Sequence, residues 1–230
     1  MCLVSGLTRG PMKSKDGVLG VMGGTFDPIH FGHLRLAEEA RQALGLSRVR
    51  VVPAGHPRHR DQPCTSAEDR LAMVQLALGD LPQFELDDSE VRADLPSYTV
   101  PTLERLRSEL GSQHALVLLL GVDAFLGLPS WYRWRELFEL AHIAVATRPG
   151  YSLNEQHMGE ALRSEFHHRA CARPERLAKR PAGMVASFAM TPLAISATSI
   201  RAILAQGGSP RFLLPDAVLD YIQQHHLYGN

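Results

Sequence analysis

The chain has 230 residues, 45% of them hydrophobic, enough to bury one sizeable core and to make a single domain the default. Lys plus Arg and Asp plus Glu each number 24, which excludes the global basic field of a dedicated nucleic-acid binder and leaves open only a local patch for a small anion. The separated cysteines Cys2, Cys64 and Cys171 form neither a zinc spacing nor a disulfide framework, as expected in a reducing cytoplasm, and no run of about 18 apolar residues reads as a membrane span.

Residues 1–16 lack the apolar stretch of a signal peptide and read as a disordered extension, with Met12 as an alternative start; residues 17–230 read as one domain. VLGVM (18–22) is a short buried strand. HLRLAEEARQALG follows with helical periodicity, and Gly45 suits the position just past the helix end. VRVVPA (49–54) is a second strand, followed by a Pro- and Gly-punctuated loop, PAGHPRHRDQP. Thr65 and Glu68 have capping-box spacing and open a helix to about Leu78. FELDD (84–88) is a third strand, and TVPTLERLRSEL (99–110) a helix ended by Gly111. HALVLLLG (114–121) is the most apolar run, expected at the centre of a sheet covered on both faces. RWRELFEL (133–140) is helical and HIAVATR (142–148) a fifth strand. Residues 151–180 are polar and helix-prone, with no motif. MVASFAM (184–190) is a sixth strand, and SATSIRAILAQG and PDAVLDYIQQHHLY are closing helices. The alternation predicts an α/β fold, a Rossmann-like doubly wound parallel sheet with helices on both faces and a small helical C-terminal portion. Ligands on such sheets bind beyond the carboxyl ends of the strands, at the topological switch point.

MGGTFDPIHFGH follows the first strand and so stands in that place. Gly23 and Gly24 permit a sharp turn close to a ligand, and the N–H groups of Thr25 and Phe26 can face phosphate oxygens. His30 and His33, three apart, share a side of the first helical turn, where the helix N-terminus adds positive potential, and Gly32 leaves room for a nucleotide. The loop is neither a Walker sequence nor G-x-G-x-x-G. An isolated H-x-x-H is usually decoration; the glycines, Thr25 and the preceding strand favour phosphate handling here.

His30-Phe31-Gly32-His33 is similar to the T/H-x-G-H signature of the nucleotidylyltransferase superfamily. ISATSIR (195–201) is similar to its second signature, I-S-x-T-x-I-R. Within that superfamily the chain most resembles the bacterial nicotinate-nucleotide adenylyltransferases. SYT (97–99) looks like their nicotinate-carboxylate segment, and GVDAFLGLPSWYRW (121–134) like their G-x-D segment followed by tryptophans. VPAGHPRHR (52–60) looks like their V-P-x-x-x-P-x-H-K loop, with Arg60 in place of Lys; the charge is kept and the contact changes.

The resemblance implies adenylyl transfer from ATP to nicotinate mononucleotide, giving deamido-NAD and pyrophosphate, with Mg²⁺ bound together with ATP. It implies His30, His33 and Arg201 as catalytic groups. Gly23, Gly24, Thr25, Phe26, Gly32, Ser196, Thr198 and Arg201 would hold ATP. Arg60, Ser97, Tyr98, Thr99, Asp123 and Trp131 would hold the mononucleotide, Trp131 by stacking on the pyridine ring. No nucleic acid or membrane partner is implied, and a homo-oligomer is open. Blander roles stand beside these. Ser196, Ser97–Thr99 and Asp123 can simply cap helices, Trp131 and Trp134 can be core, and Arg60 can be solvated. His56, His59 and Cys64 fit a zinc site poorly, and His167-His168 and His225-His226 read as solvated. The rival readings are a phosphopantetheine adenylyltransferase-like enzyme, which lacks the W-Y-R-W aromatics, and a nucleotide sensor without catalysis.

Overall fold

The computed structural model describes residues 17–57, 62–93, 95–148, 150, 153 and 155–229; the expectations for residues 1–16, Met12 included, and for Arg60 lie outside them. Along the chain these residues form β1 (Val18–Gly24), α1 (Phe31–Ala43), β2 (Leu46–Pro53), the two-residue β3 (His56–Pro57), α2 (Ala67–Leu78) and β4 (Phe84–Leu86). The one-turn α3 (Ser89–Arg92), the two-residue β5 (Pro96–Ser97), α4 (Thr99–Leu110), β6 (Leu116–Gly121) and α5 (Val122–Leu126) follow. The chain closes with α6 (Leu137–Leu140), β7 (His142–Thr147), α7 (Glu160–Arg169), β8 (Val185–Ala189), α8 (Ala197–Ala205) and α9 (Asp216–Gln224).

Among the described residues, six strands form one sheet in the order β4-β2-β1-β6-β7-β8, and every neighbouring pair is parallel. The chain winds outward from β1 on one side, returns to the centre and winds outward from β6 on the other. This is the Rossmann-like order, and its reversal falls between β1 and β6. Side chains alternate across the sheet. Val117 and Leu119 therefore enter the core under α1, α2, α8 and α9, whereas Leu116, Leu118 and Leu120 enter the core under α4 to α7. Burial on both faces is why HALVLLLG shows no polar alternation. The C-terminal helices are part of the first core: Ile200, Leu204, Val218 and Ile222 are at most 2% exposed.

Several boundaries differ from the sequence expectation. β1 runs to Gly24 because its parallel pairing with β2 continues to Pro53. The cap of α2 is Ser66, whose side chain accepts from the Asp69 N–H at 3.0 Å, not Thr65. Thr65 is drawn instead into a bond with Asp27 at 2.8 Å. The 133–140 helix is broken: Arg133 is left-handed, a 3-10 turn covers Trp134–Glu136, and only Leu137–Leu140 is α-helical. The last helix stops at Gln224, after which His226 and Tyr228 take positive φ. Gly45 has φ 64° as expected of a residue closing α1. Residues 151–180 are less detached than their polarity suggests, since Met158, Leu162 and Leu177 are buried. His142, 0% exposed, pins this region. Its Nδ1 accepts from the Met184 N–H at 3.0 Å, which leaves Nε2 to donate to the Leu177 and Arg180 carbonyls.

Candidate active site

The loop after β1 lies at the switch point. Phe26 has φ 51° and is 2% exposed, folding its ring back under the loop. A Cβ on Gly24 would lie 2.8 Å from that ring, so glycine is favoured there by packing. Gly23 faces open space. Asp27-Pro28 is a cis peptide.

His30 is the N-cap of α1 rather than a residue of its first turn. Its ring stacks on His33 with centroids 3.8 Å apart and planes 24° apart, and the Phe26 ring edges His33 at 5.0 Å. The expected convergence of the two histidines is therefore present. Burial pushes the His30 imidazole down to about 4, so it is neutral at pH 7, and its Nδ1 has no hydrogen-bond partner. A Cβ on Gly32 would lie 3.0 Å from the His30 ring and 3.6 Å from the Ile195 carbonyl oxygen. In this structure Gly32 thus makes room for the histidine and for the second motif. One donor of the helix N-terminus is already used, because the Phe31 N–H bonds to Leu213 O at 3.1 Å.

ISATSIR meets this loop directly. Arg201 donates to the Asp27 carbonyl at 2.6 Å, lies 3.9 Å from the Asp27 carboxylate and donates to Thr198 Oγ1 at 3.5 Å. Ser196 is the N-cap of α8, joined to Ser199 in a reciprocal capping box, so its bland role is realised.

Asp27, and two residues to which the sequence reading gave no role here, Tyr228 and Arg70, hold the loop in place. Asp27 is 5% exposed. It accepts from Tyr228 Oη at 2.6 Å, Thr65 Oγ1 at 2.8 Å and the Cys64 N–H at 2.7 Å. Burial and the Asp27 carboxylate raise the Tyr228 phenol well above its ordinary range, so it stays a donor. Arg70, 1% exposed, donates to Thr25 O at 2.8 Å, to Gly55 O at 2.9 Å and to Ala54 O. It ties the β1 loop to the segment between β2 and β3. Burial lowers its pKa, with Asp27 the main opposing charge. A fully buried Arg in a helical pattern was the one available signal for it, and its partners are backbone carbonyls that leave no trace in sequence.

Of the mononucleotide residues expected from the sequence, Ser97 and Tyr98 line a cavity of about 420 Å³ together with Glu90, Thr102 and Tyr132, whereas Thr99, Asp123 and Trp131 do not line it. Tyr98 is the N-cap residue of α4 and makes no side-chain cap bond, and Thr99 begins the helix. The Tyr98 and Tyr132 rings are 4.7 Å apart. Trp131 is half-buried against the second core and caps a 3-10 turn through its N–H, whereas Tyr132 is 48% exposed and lines the cavity. Tyr132 was missed because the reading favoured tryptophan as the stacking group. Trp134 is core, with the Arg135 guanidinium 4.6 Å above its ring. Asp123 is exposed in the first turn of α5, whose N-cap is Gly121, so it is not the cap. The histidine pairs 167–168 and 225–226 are all exposed, as expected; His167 also contacts Glu155 at 2.9 Å and His225 stacks on Tyr221 at 4.0 Å.

Residues 21–203 match the cytidylyltransferase-like family model. A protein of Dechloromonas aromatica is 57% identical across 92% of this chain and 98% of its own length, and one of Pseudomonas syringae pv. tomato is 48% identical across 91% and 93%. Both carry the name "probable nicotinate-nucleotide adenylyltransferase". This chain belongs to the cytidylyltransferase-like family, on its nicotinate-nucleotide adenylyltransferase branch. The Plasmodium falciparum nicotinic acid mononucleotide adenylyltransferase complexed with NaAD superposes with a TM-score of 0.68 at 17% identity, covering 92% of this chain and 97% of that one, a likeness of fold. Among the described residues no helix is long and apolar enough to cross a membrane.

Proposed function

We propose that the chain transfers the adenylyl group of ATP to nicotinate mononucleotide, giving nicotinate adenine dinucleotide and pyrophosphate in NAD biosynthesis. The observation that carries this reading is the meeting of two motifs far apart in sequence: Arg201 of ISATSIR bonds the loop that presents the stacked His30 and His33. That meeting occurs at the switch point, on the branch to which the relatives belong.

A phosphate oxygen of the mononucleotide attacks the α-phosphorus of ATP. The bond from that phosphorus to its bridging oxygen breaks, and pyrophosphate leaves with the electron pair. The attacking group is already an anion, so no protein nucleophile is needed, and positioning with electrostatics supplies the rate. His30 and His33 donate to the triphosphate, whose negative charge draws a proton toward the otherwise neutral His30. The backbone of Gly23 to Phe26 borders the phosphates, and Gly32 keeps the helix start close to them. Ser196, Thr198 and Arg201 face the β- and γ-phosphates from the start of α8. On the acceptor side, Ser97, Tyr98 and Thr99 serve the nicotinate carboxylate. Trp131 stacks on the ring, with Tyr132 beside it; Asp123 serves the nucleotide sugar, and the Arg60 charge serves the phosphate. Mg²⁺, bound together with ATP, would neutralise charge on the phosphates.

The test is pyrophosphate release from Mg-ATP with nicotinate mononucleotide, nicotinamide mononucleotide or 4′-phosphopantetheine as acceptor. Preference for the nicotinate compound is expected. Turnover with phosphopantetheine alone would overturn the substrate, and ATP binding without turnover would overturn the enzyme reading.

A further inference from the structure

The polar wall of the acceptor cavity contains a carboxyl group, on Glu90, that the reaction above does not use. Glu90 sits in α3, the single turn between β4 and β5. It is half-buried and reaches both ends of the turn that leads into α4. The Thr102 hydroxyl, 7% exposed, donates to Glu90 Oε1, and the Ser97 hydroxyl also donates to the Glu90 carboxylate. Ser97 in turn accepts from the His56 N–H at 3.1 Å, which joins the turn to β3. The Thr102 hydroxyl is also 3.3 Å from the Tyr98 carbonyl. The backbone of Glu90 is fixed as well: a Cβ on Gly55 would lie 2.1 Å from the Glu90 carbonyl oxygen, so α3 rests directly on the segment that Arg70 holds.

We propose that Glu90 is a positioning residue for the acceptor, setting the Ser97-Tyr98-Thr99 turn through Ser97 on one side and Thr102 on the other. Its location in the acceptor pocket rests on the function proposed above. One carboxyl group bracketing a short turn at two hydroxyls fixes a backbone that two-residue strands hold weakly. Burial raises the Glu90 pKa, reinforced by Asp87 and opposed by the two hydroxyls and Arg105. An amide at this position can still partner both hydroxyls, accepting from one through its oxygen and donating to the other through its nitrogen, and a methyl group can partner neither.

The experiment compares Glu90→Ala and Glu90→Gln with wild type. It measures kcat, the KM for ATP and the KM for whichever of the three acceptors wild type uses. Glu90→Ala is expected to raise the acceptor KM about tenfold to a hundredfold, with the ATP KM and kcat within about threefold of wild type. Glu90→Gln should restore the acceptor KM to within about threefold of wild type. Thr102→Val removes one of the two bonds without touching Glu90 or Ser97, and should raise the acceptor KM and leave the ATP KM unchanged if Glu90→Ala fails to fold. An unchanged acceptor KM, equal rises in both KM values, or a Gln variant no better than Ala would overturn the proposal. Wild type using a different acceptor would overturn the earlier reading and leave this one to be judged on that acceptor. No turnover with any of the three would overturn both.

Discussion

The loop after β1 and the turn before α4 both lie beyond the carboxyl edge of the sheet, yet they are held in opposite ways. The loop is sealed. Phe26, Asp27 and His30 are at most 5% exposed, and Asp27 gathers donors from Cys64, Thr65 and Tyr228 while Arg201 holds its carbonyl. The turn is open. It hangs on a pair of two-residue strands beside a cavity, with Leu95 68% exposed and Tyr132 48% exposed. A polyphosphate presents the same anionic oxygens to every such enzyme, and a closed, preorganised frame suits it. An acceptor ring is recognised by area and a few polar atoms, and an apolar, less constrained pocket suits that. Arg70 bonds Thr25 O in the loop and Gly55 O in the segment leading to β3, the strand that pairs with β5 before the turn.

Substitutions should separate the two regions. The largest effect is expected from His33→Ala: kcat falls on the order of 10²–10³-fold, while the melting temperature stays near wild type in a thermal scan. Near-normal turnover would remove His33 from the chemistry. Next is Arg70→Lys, which keeps the charge and loses the fork that reaches three carbonyls. A loss of about 2–3 kcal/mol in denaturant unfolding is expected, with the KM for both substrates raised, because Arg70 links the loop to the segment that supports the turn. An effect on one substrate only would make the regions independent.

The pH dependence comes third. The folded His30 pKa is lowered from 6.5 to about 4, and that of His142 is also lowered by burial. The unfolded chain then binds more protons below 6.5, so this stability is complete above 6.5 and is lost as pH falls toward 4. At about pH 5.5 the His30 contribution to the loss is about 1.4 kcal/mol. His142→Asn should flatten part of the slope in urea titrations between pH 7 and 5, and an unchanged slope would exclude His142 as a contributor. The smallest effect is expected from Tyr228→Phe, which removes one of three donors to the Asp27 carboxylate. About 1 kcal/mol of stability should be lost, with the ATP KM raised and the acceptor KM unchanged, the mirror image of Glu90→Ala.

Much of this molecule was legible in its sequence because local rules and tertiary structure agree. α4 spans Thr99–Leu110 as periodicity and Gly111 require, and the apolar run at 116–120 is central because both of its faces are buried. The two signature motifs placed the histidines and Arg201, since backbone approach to phosphate demands glycine and small polar residues at set spacings. The tertiary structure alone decided what those spacings cannot carry. Thr65 read as a helix cap until Asp27, distant in sequence, became its partner. Tyr228 read as the end of the closing helix and Arg70 as part of another helix; the first is half-buried, the second fully buried, and both support the active loop. Glu90 stood in an unremarked turn, and the cavity beside it exists only once α3, β5 and Tyr132 are brought together. Hydrogen bonds to backbone carbonyls and between segments far apart in the chain have no period and no composition. They follow from which surfaces the sheet order brings into contact.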